Sequence, residues 1–511
     1  MEKNFYSNLI YLFFLGGITS LSLPPLNYWI LNFISLGLFF HFLVKNIHYN
    51  KVRFFIFGWI FGFGYFITNL YWISISLTFD KSFKFLIPLS LILIPSFLAL
   101  FFGLATYIFY FFKNKKIIVQ FFLFSLAFGI IEFVRGHIFT GFPWNLIALS
   151  FSNQIKILSI TSIIGTYGFN LFCFSLFISP TLLFLRKSRK DLTIGILFLL
   201  FPIFMYLYGY KHEKSFLKIE KKTNDFVIRA IGSNINLDRF YKNIDPSSII
   251  NELIEISDPN LNKKTLFLWP EGIIPDIYQK EMINFKNSFK DHFNENHLIG
   301  LGINSRLVNG IDYKLFNSLS IYDNHLNLLY SYNKNNLVPF GEFLPFEKIL
   351  EKVGFRTITN KYKSFSKGKD RDPIRIKEGE FSLKILPLIC YEIIYSGKLY
   401  KNHDFDIMVN ISEDGWFGKS IGPKQHFAHS IFRAIESGKY LVRSANNGKA
   451  AIVNPIGQIE KQIDFGQDGY VDFVEFRKTN PTLFTKFGNL IFLTLVVFYS
   501  FLIIVFNRIN N

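Results

Sequence analysis

Three residues with reactive side chains each end an apolar run in the second half of the chain. Glu271 ends the stretch LFLWPE, Lys334 ends NLLYSYNK, and Cys390 ends KILPLIC. A short apolar run that stops abruptly is typical of a buried strand, and a strand end can hold a side chain on rigid backbone. A thiol, a carboxylate and an amine delivered in this way suggest a nucleophile with its own base and its own cation.

Each of these residues also has an ordinary explanation when it is taken alone. A lone cysteine is commonly a buried core residue, Glu271 fits an exposed turn, and Lys334 fits a surface strand end. The polar residues after Cys390 favour an exposed thiol. Glu271, beside Trp and Pro, would be partly removed from water, which suits a general base. Lys334 could stabilise an oxyanion, and Glu342 in the loop FGEF could pair with it.

The distribution of hydrophobic residues predicts a membrane protein with a polar domain near its carboxyl end. Half of the 511 residues are hydrophobic, and Phe alone accounts for 65. The apolar character fills residues 1–210, thins out over 211–483, and returns at the end of the chain. We therefore expect a membrane domain of seven helices over 1–210, a catalytic domain over 211–483, and a last transmembrane helix within 484–511.

Apolar runs predict the individual spans. Residues 4–44 contain no Asp, Glu, Lys or Arg and are interrupted at Pro24-Pro25-Leu26-Asn27, which predicts a helical hairpin. The expected spans, eight in all, are 8–22, 27–45, 54–77, 86–112, 117–134, 157–185, 192–210 and 484–506. No cleavage site for a signal peptide follows the first span.

Loop charges predict the orientation. Lysine and arginine cluster in alternate loops, near residues 45–53, 113–116 and 186–190. The positive-inside rule then places both termini in the cytoplasm and 211–483 in the periplasm of a bacterial inner membrane. The outer-side loop 135–156 is unusually apolar. It is either a re-entrant or interfacial arm with Trp144 at headgroup depth, or a helix end with its aromatic belt. Glu132 and Arg135 are predicted to form a local ion pair.

The charged residues, cysteines and histidines argue against nucleic-acid binding, a disulfide and a metal site. The net charge is +18, but no arginine run or aromatic-interleaved basic stripe indicates nucleic-acid binding. Cys173 lies in an apolar segment and Cys390 in the polar domain, so a disulfide between them is not expected. The histidines and acids have no metal-ligand spacing, and no cofactor is predicted.

Short alternating segments predict a layered α/β fold for the polar domain. The predicted strands are 226–232, 265–269, 297–303, 314–322, 327–332, 382–389, 405–411, 440–444, 450–453, 457–462 and 470–475. Residues 425–437 are predicted to form a helix that ends at Gly438. Asn454-Pro455-Ile456-Gly457 is typical of a hairpin turn.

The motifs around the three reactive residues resemble a known family. WPEG, YNKNNLVPFGEFLPF, LICYE and NISEDGWFG are similar to the nitrilase superfamily, which has a Glu-Lys-Cys triad on an αββα sandwich. FGYFITNLYWI, TGFPW, GTYG, SIGPKQH and SANNG narrow the resemblance to the apolipoprotein N-acyltransferase family, over essentially the whole chain. The expected architecture is thus a multi-pass α-helical membrane domain of about eight spans plus an αββα nitrilase-like domain.

The resemblance implies a role for each matching residue. Glu271 would be the general base, and Cys390 would attack the acyl ester of a phospholipid, typically phosphatidylethanolamine. Lys334 and a backbone amide just after Cys390 would hold the oxyanion. Supporting roles would fall to Glu342, Tyr391 and Glu392, and tentative substrate contacts to Trp144, Trp416 and Phe417. The acyl group would pass to the α-amine of a diacylglyceryl-cysteine on an apolipoprotein, the last step of lipoprotein maturation. A monomer is expected.

Three departures and two alternatives accompany this interpretation. The family usually has a glutamine before a Gly-Asn pair, where this chain reads Ile231-Gly232-Ser233-Asn234. A tryptophan of the family is replaced by Phe240 or Tyr241, and a histidine by Asn336. One alternative is a membrane-tethered amidase or nitrilase that hydrolyses a small C–N substrate. The other is a transporter with an inactive nitrilase-like domain, which predicts polar residues facing inward at mid-membrane. Few such residues are present, and the intact triad would then have no use.

Overall fold

The chain divides into two compact units of different character. A computed structural model describes residues 2–310, 312–345, 364–399 and 403–508. The first unit comprises Met1–Ser215, Ser420–Ala428 and Thr482–Asn511, and the second comprises Phe216–Lys419 and His429–Pro481. The first unit therefore contains a short segment whose neighbours in sequence, on both sides, belong to the second.

The first unit is helical. The helices that lie in it or enter it are α1 (Glu2–Ser20), α2 (Leu31–Lys45), α3 (Lys51–Leu70), α4 (Ile73–Ser76), α5 (Ile87–Tyr110), α6 (Ile117–Arg135), α7 (Ile155–Leu158), α8 (Thr161–Phe184), α9 (Arg189–Leu217), α12 (Gly422–Ser437), α13 (Leu483–Phe487) and α14 (Leu490–Arg508). Phenylalanine rings fill much of the space between them, as in the parallel stack of Phe39 on Phe61 at 4.0 Å.

Several of these helices are suited to a membrane. Within the described residues, six helices are long and apolar enough to cross one: α3, α5 with its preceding turn, α6, α8, α9 and α14. Helices α1 and α2 are apolar but shorter. The predicted break at Pro24-Pro25-Leu26-Asn27 is confirmed, since no helix covers those residues. The predicted span 54–77 is wrong at its end. Helix α3 stops at Leu70. The indole nitrogen of Trp72, just beyond it, donates to the side chain of Gln425, a buried contact that hydropathy does not reveal.

The loop that follows α6 packs inside the first unit. The expected ion pair between Glu132 and Arg135 is present and buried, and the Arg135 guanidinium also donates to the carbonyl of Phe142. Further along, Ile147–Phe151 forms a buried 3-10 helix. Trp144 is only 1% exposed, and its ring lies near the rings of Trp72, Phe142 and His426 in the same unit, at 4.9, 6.1 and 5.4 Å.

Gln425 joins the Ser420–Ala428 segment to the rest of the first unit. Its Oε1 accepts hydrogen bonds from the indole nitrogens of Trp144 at 2.9 Å and Trp72 at 3.2 Å. Its Nε2 donates to the carbonyl of Pro24 at 3.2 Å and to Oδ1 of Asn69 at 3.3 Å. One buried amide thus satisfies groups from three separate parts of the helical bundle, where an unmade hydrogen bond is costly.

Replacing Gln425 with leucine is expected to destabilise the full-length protein by about 2–4 kcal/mol, because two indole donors lose their shared acceptor. Thermal unfolding in detergent, followed by tryptophan fluorescence, measures the change. Gln154→Leu is the matched control, since this half-buried glutamine makes one long bond, 3.4 Å to Asn153. Equal unfolding temperatures for Gln425→Leu and Gln154→Leu would contradict the prediction.

The second unit is built on one sheet. Its strands are β1 (Lys221–Ser233), β2 (Thr265–Leu268), β3 (His297–Asn309), β4 (Asp312–Tyr322), β5 (Leu328–Asn333), β6 (Ile374–Glu378), β7 (Phe381–Ile389), β8 (Ile407–Glu413), β9 (Tyr440–Asn446), β10 (Ala450–Val453), β11 (Ile459–Ile463) and β12 (Gly469–Arg477). Within the described residues the strand order is β5-β4-β3-β2-β1-β9-β8-β7-β6, with β10, β11 and β12 off this path.

This sheet has two halves that close on each other. The halves join where β1 pairs with β9 over only two positions, Gly232 with Ala445 and Ser233 with Asn446. At the far ends of the path, the Tyr330 hydroxyl of β5 donates to Glu378 of β6 at 3.1 Å and accepts from the Lys377 amide at 3.0 Å. Helices α10 (Pro246–Ser257) and α11 (Lys286–Lys290) cover one face over an apolar core.

The parallel centre of the sheet aligns the ends of several strands. Neighbours among β3, β2, β1, β9, β8 and β7 all pair in parallel, so their carboxyl ends meet at one edge. Strand β5 runs in the same sense because two antiparallel steps separate it from β3. Glu271, Lys334 and Cys390 follow β2, β5 and β7. Loops at the carboxyl edge of parallel strands are the usual place for a site.

The strand predictions are confirmed along most of the sheet. Every predicted strand corresponds to an observed one, the predicted helix 425–437 lies within α12, and Gly438 follows its end with φ of 63°. Strand β6 was missed. It is a short segment, IRIKE, in which only Ile376 is buried, so its alternation is too brief to stand out.

Candidate active site

Cys390 sits on a sharp turn between a strand and a helical turn. Strand β7 ends at Ile389, and a 3-10 helix spans Cys390–Ile394. Cys390 has φ of 49°, a left-handed conformation that costs a non-glycine residue about 1–3 kcal/mol and persists only where the surroundings enforce it. The turn lifts the thiol off the end of the strand, a geometry similar to the nucleophile elbow of α/β-hydrolases.

The surroundings of Cys390 disfavour the charged form of its thiol. The residue is 9% exposed. Burial first, and then the negative charge of Glu271, raise the pKa of the Cys390 thiol well above its ordinary value, while Lys334 opposes that shift. Asp414 also raises this pKa, and the hydroxyl of Ser412 lies within hydrogen-bonding reach of the sulfur. Such a thiol needs a base at the moment of attack, because its thiolate is not populated beforehand.

Glu271 provides a carboxylate held at both oxygens. Its Oε1 accepts from Nζ of Lys334 at 3.0 Å and from Nδ2 of Asn317 at 2.7 Å. Its Oε2 accepts from the backbone amide of Glu413 at 3.0 Å. The carboxylate is therefore fixed by donors from β4, from the end of β5 and from the end of β8, and Oε2 carries the fewer of these bonds.

The backbone of Glu271 packs closely against a glycine. An added Cβ on Gly302 of β3 would lie 2.4 Å from Cα of Glu271 and 2.6 Å from the carbonyl oxygen of Pro270. The amide of Gly302 donates to that same carbonyl at 3.2 Å. Only glycine allows this close approach, which sets how far Glu271 stands from the neighbouring strand.

Lys334 lies between two carboxylates. Its Nζ donates to Oε1 of Glu271 at 3.0 Å and to Oε1 of Glu342 at 2.9 Å, so the pairing expected for Glu342 is present. Burial by itself lowers the pKa of Lys334, but the charges of Glu271 and Glu342 outweigh it and leave the pKa well above its ordinary value. The ammonium is therefore a permanent positive charge beside Cys390.

Glu392 links the turn at Cys390 to the loop that carries Lys334 through hydrogen bonds to both. It is fully buried, and its Oε2 accepts from the backbone amide of Ile389, immediately before Cys390. Its Oε1 accepts from the backbone amides of Asn335 and Asn336 at 2.9 and 3.0 Å. The guanidinium of Arg371 and the hydroxyl of Tyr332 donate to the same oxygen. One carboxylate thus sets the relative position of the turn and the lysine loop.

The residues tentatively assigned to substrate contact fall in different places. Trp416 and Phe417 are half-buried and belong to a 3-10 helix, Asp414–Phe417, that follows β8. The ring of Trp416 packs on Phe240 at 4.9 Å and on Tyr241 at 6.5 Å. Trp144 belongs to the first unit, where it donates to Gln425. Tyr391 is buried directly after Cys390.

Two buried ion pairs near the site were not indicated by the sequence motifs. Glu413 pairs with Arg239, whose Nε donates to the carbonyl of Ile273 just past Glu271. Asp414 pairs with Arg443 at 2.9 Å. Glu413 and Asp414 stand in the motif NISEDGWFG, but their partners are distant in sequence, so no local pattern could have identified them. In the described part of the chain, no group of three or more His, Cys, Asp or Glu could hold a metal ion.

Comparison with known proteins identifies the family to which this chain is related. Residues 15–179 match the apolipoprotein N-acyltransferase N-terminal domain, and residues 292–473 match the carbon-nitrogen hydrolase domain. The apolipoprotein N-acyltransferase of Rickettsia prowazekii is 32% identical over 86% of this chain and 87% of its own length. That of Rhodopseudomonas palustris is 28% identical over 96% and 94%. The chain belongs to the apolipoprotein N-acyltransferase family.

Solved structures of carbon-nitrogen hydrolase superfamily proteins are similar to part of the chain at low sequence identity. XC1258 of Xanthomonas campestris, a CN-hydrolase superfamily protein, is 14% identical with a TM-score of 0.34, and the match covers 49% of this chain and 90% of that one. An amidase from Nesterenkonia sp. AN1 is 12% identical with a TM-score of 0.33, over 50% and 95%. The carbon-nitrogen hydrolase match gives the second unit a nitrilase-like fold, and the family is one of acyltransferases that act in lipoprotein maturation.

The departures from the family pattern have local partners. Asn336, at the family's histidine position, accepts from Arg371 at 3.2 Å through Oδ1 while its backbone amide binds Glu392. Ser233 donates to Oδ1 of Asn446 at 2.7 Å across the seam between the two halves of the sheet. Phe240 and Tyr241 supply aromatic rings against Trp416. Each substituted position is therefore engaged in the second unit.

Proposed function

We propose that this chain transfers a fatty acyl group from a phospholipid, through a thioester on Cys390, to the α-amine of a diacylglyceryl-cysteine on an apolipoprotein. The observation that carries the proposal is the left-handed turn that presents the thiol of Cys390, together with the buried Glu271–Lys334 pair whose charges act on that thiol. We further propose that the enzyme lies in a bacterial inner membrane with residues 211–483 in the periplasm, and that it works as a monomer without metal or cofactor.

In the first half-reaction Glu271 removes the thiol proton as sulfur attacks the ester carbonyl. Oε2 of Glu271 is the better acceptor, because it carries one hydrogen bond from the protein and Oε1 carries two. The Lys334 ammonium and the backbone amide of Tyr391 stabilise the oxyanion that forms. When the C–O bond breaks, Glu271 returns the proton to the leaving lysophospholipid oxygen, and the acyl group remains on sulfur.

In the second half-reaction the amine of the lipoprotein attacks the thioester. An α-amine has an ordinary pKa of about 8, so a useful fraction is neutral at pH 7. Glu271 takes a proton from the attacking nitrogen and returns one to the departing sulfur, which regenerates the thiol and leaves an amide. The two steps form a ping-pong cycle. Water competes with the amine for the thioester, so a long-lived acyl-enzyme is a requirement of this proposal.

We expect phosphatidylethanolamine to acylate Cys390 and an added diacylglyceryl-cysteine peptide to remove the acyl group as an amide. Peptide mass spectrometry of the full-length protein in nanodiscs measures both steps. Cys390→Ala should form no adduct and no product, a loss of at least about 10³-fold. Cys173→Ala is the matched control, since Cys173 is a buried cysteine of the first unit and should leave both steps unchanged.

The same experiment separates the proposal from the amidase alternative. If the acyl-enzyme decays in water as fast as it decays with the amine acceptor, the chain acts as a hydrolase. If phospholipid never acylates Cys390 while a small amide does, the proposed donor is wrong.

A further inference from the structure

Asn317 occupies a position in the site that no sequence motif marks. It lies on β4, and its Nδ2 donates to Oε1 of Glu271 at 2.7 Å and to Oε1 of Glu342 at 2.8 Å. The ammonium of Lys334 donates to the same two oxygens at 3.0 and 2.9 Å. Two carboxylates therefore share two donors, one charged and one neutral.

The orientation of the Asn317 amide follows from those two carboxylates. The side chain is 6% exposed. Its Oδ1 has no hydrogen-bond partner among the described residues, so the amide is held by its nitrogen alone. Turning the amide over would set Oδ1 against two anionic oxygens, which is repulsive. The lysine loop is registered to the same residue, because the backbone amide of Lys334 donates to the carbonyl of Asn317 at 2.8 Å.

The charge balance shows why a neutral donor is needed. Glu271 and Glu342 bring two negative charges into a buried space with one positive charge, on Lys334. A buried carboxylate with too few donors tends to take up a proton and become neutral. A second cation would cancel the excess but would also remove the drive for Glu271 to accept a proton. An amide supplies hydrogen bonds without adding charge.

We propose that Asn317 is a positioning residue that holds the carboxyl groups of Glu271 and Glu342 on a shared pair of donors, and so keeps Glu271 placed to take the proton of Cys390. This inference rests on the proposed roles of Glu271 and Cys390. It adds a member to the site that touches no reacting atom and acts through the base.

Several other charged or titratable groups lie around Glu271. They are the ammonium of Lys334, the carboxylate of Glu342, the thiol of Cys390, the Asp414–Arg443 pair and the Glu413–Arg239 pair. Both arginine pairs are buried and make further hydrogen bonds that do not involve Asn317, such as those from Arg239 to the carbonyl of Ile273 and from Arg443 to Asn410. A change at Asn317 therefore alters the hydrogen bonding of Glu271 and Glu342, and the pKa of the Cys390 thiol, which the charge of Glu271 raises, responds.

The test is the pH dependence of alkylation of Cys390 by iodoacetamide in the full-length enzyme, measured on the Cys390 peptide by mass spectrometry. In Asn317→Ala, Glu271 loses a neutral donor, so its negative charge acts more strongly on Cys390. The pKa of the Cys390 thiol, which Glu271 already raises, then rises further. We expect the midpoint of the rate profile to move upward by about one pH unit, and alkylation well below both midpoints to slow about tenfold.

Asn317→Asp keeps the shape of the side chain and adds a third carboxylate. Its midpoint should move upward further than that of Asn317→Ala, and its rate should recover at high pH. Asn304→Ala is the matched control. Asn304 lies directly opposite Asn317 in the β3–β4 ladder and is 7% exposed, but its Nδ2 donates to the carbonyl of Pro275 at 3.3 Å. The midpoint in Asn304→Ala should equal that of the unmodified enzyme.

The outcomes distinguish this inference from the proposed function. A shifted midpoint together with no acylation by phospholipid would support the role of Asn317 and refute the lipid donor. Identical midpoints in the unmodified enzyme, Asn317→Ala and Asn317→Asp would overturn the role of Asn317, even if each variant is slower at every pH. A purely structural residue would give that uniform slowing.

Discussion

Adding one methyl group at Gly302 is expected to slow acylation of Cys390 by about 100-fold, because a displacement of about 1 Å in a catalytic group costs that much in rate. The new Cβ would lie 2.4 Å from Cα of Glu271 and 2.9 Å from the amide nitrogen of Gly272. Both obstacles are backbone atoms, so the segment carrying Glu271 must move. The measurement is the single-turnover rate of acyl-enzyme formation by Gly302→Ala with phosphatidylethanolamine.

Gly300→Ala is the control for this change on the same strand and the same face of the sheet. There the added Cβ meets the Cδ2 end of the Leu268 side chain at 3.0 Å, which can shift, and the carbonyl oxygen of Phe267 at 3.3 Å, which need move by only a few tenths of an ångström. We expect Gly300→Ala to acylate within about threefold of the unmodified rate, since a flexible side chain absorbs the contact at a cost of about 1 kcal/mol. If the two alanine variants acylate at equal rates, the close approach at Gly302 does not position Glu271.

Replacing Glu392 with alanine is expected to have the largest effect on stability, about 3–5 kcal/mol. The change leaves the buried guanidinium of Arg371 without a counter-charge and strips an acceptor from the backbone amides of Ile389, Asn335 and Asn336. The unfolding temperature of the full-length protein should fall by about 10 °C. Acylation of Cys390 should be lost as well, because the turn and the lysine loop lose their shared anchor.

Two further variants separate charge burial from positioning. The double variant Arg371→Met with Glu392→Leu removes both buried charges, so much of the stability should return while acylation stays absent. Glu475→Ala removes the same charge from an exposed pair with Lys221 and should leave the unfolding temperature unchanged. Recovery of acylation in the double variant would mean that Glu392 stabilises the fold without arranging the site.

Local pattern predicted much of this molecule. Strands were found where apolar residues alternate and stop, because burial on one face leaves that period in the sequence. Glu271, Lys334 and Cys390 were found for the same reason, since each stands at the stop. Their meeting at one edge follows from parallel pairing of the strands, which the resemblance to the nitrilase superfamily implied.

Other parts of the site could not be read from local pattern. Asn317 lies in the middle of β4, and only the register of β4 against β5 brings it between Glu271 and Glu342. Arg371 and Glu392 are paired across two separate segments. Likewise, nothing near Gln425 in sequence indicates that its amide binds two indoles of the helical unit. Such contacts depend on distances along the chain over which sequence periodicity carries no information.

The position of Gln425 in the chain has a consequence for biogenesis. Translation delivers helices α1 to α9 first, while the acceptor for Trp72 and Trp144 arrives only after most of the second unit has been made, and α14 arrives last. Until then the early helices stand in an incomplete bundle with unmatched polar groups. A nascent chain released early should therefore be a substrate for membrane proteases. Assembly of the helical unit therefore depends on a residue that is made only after most of the second unit.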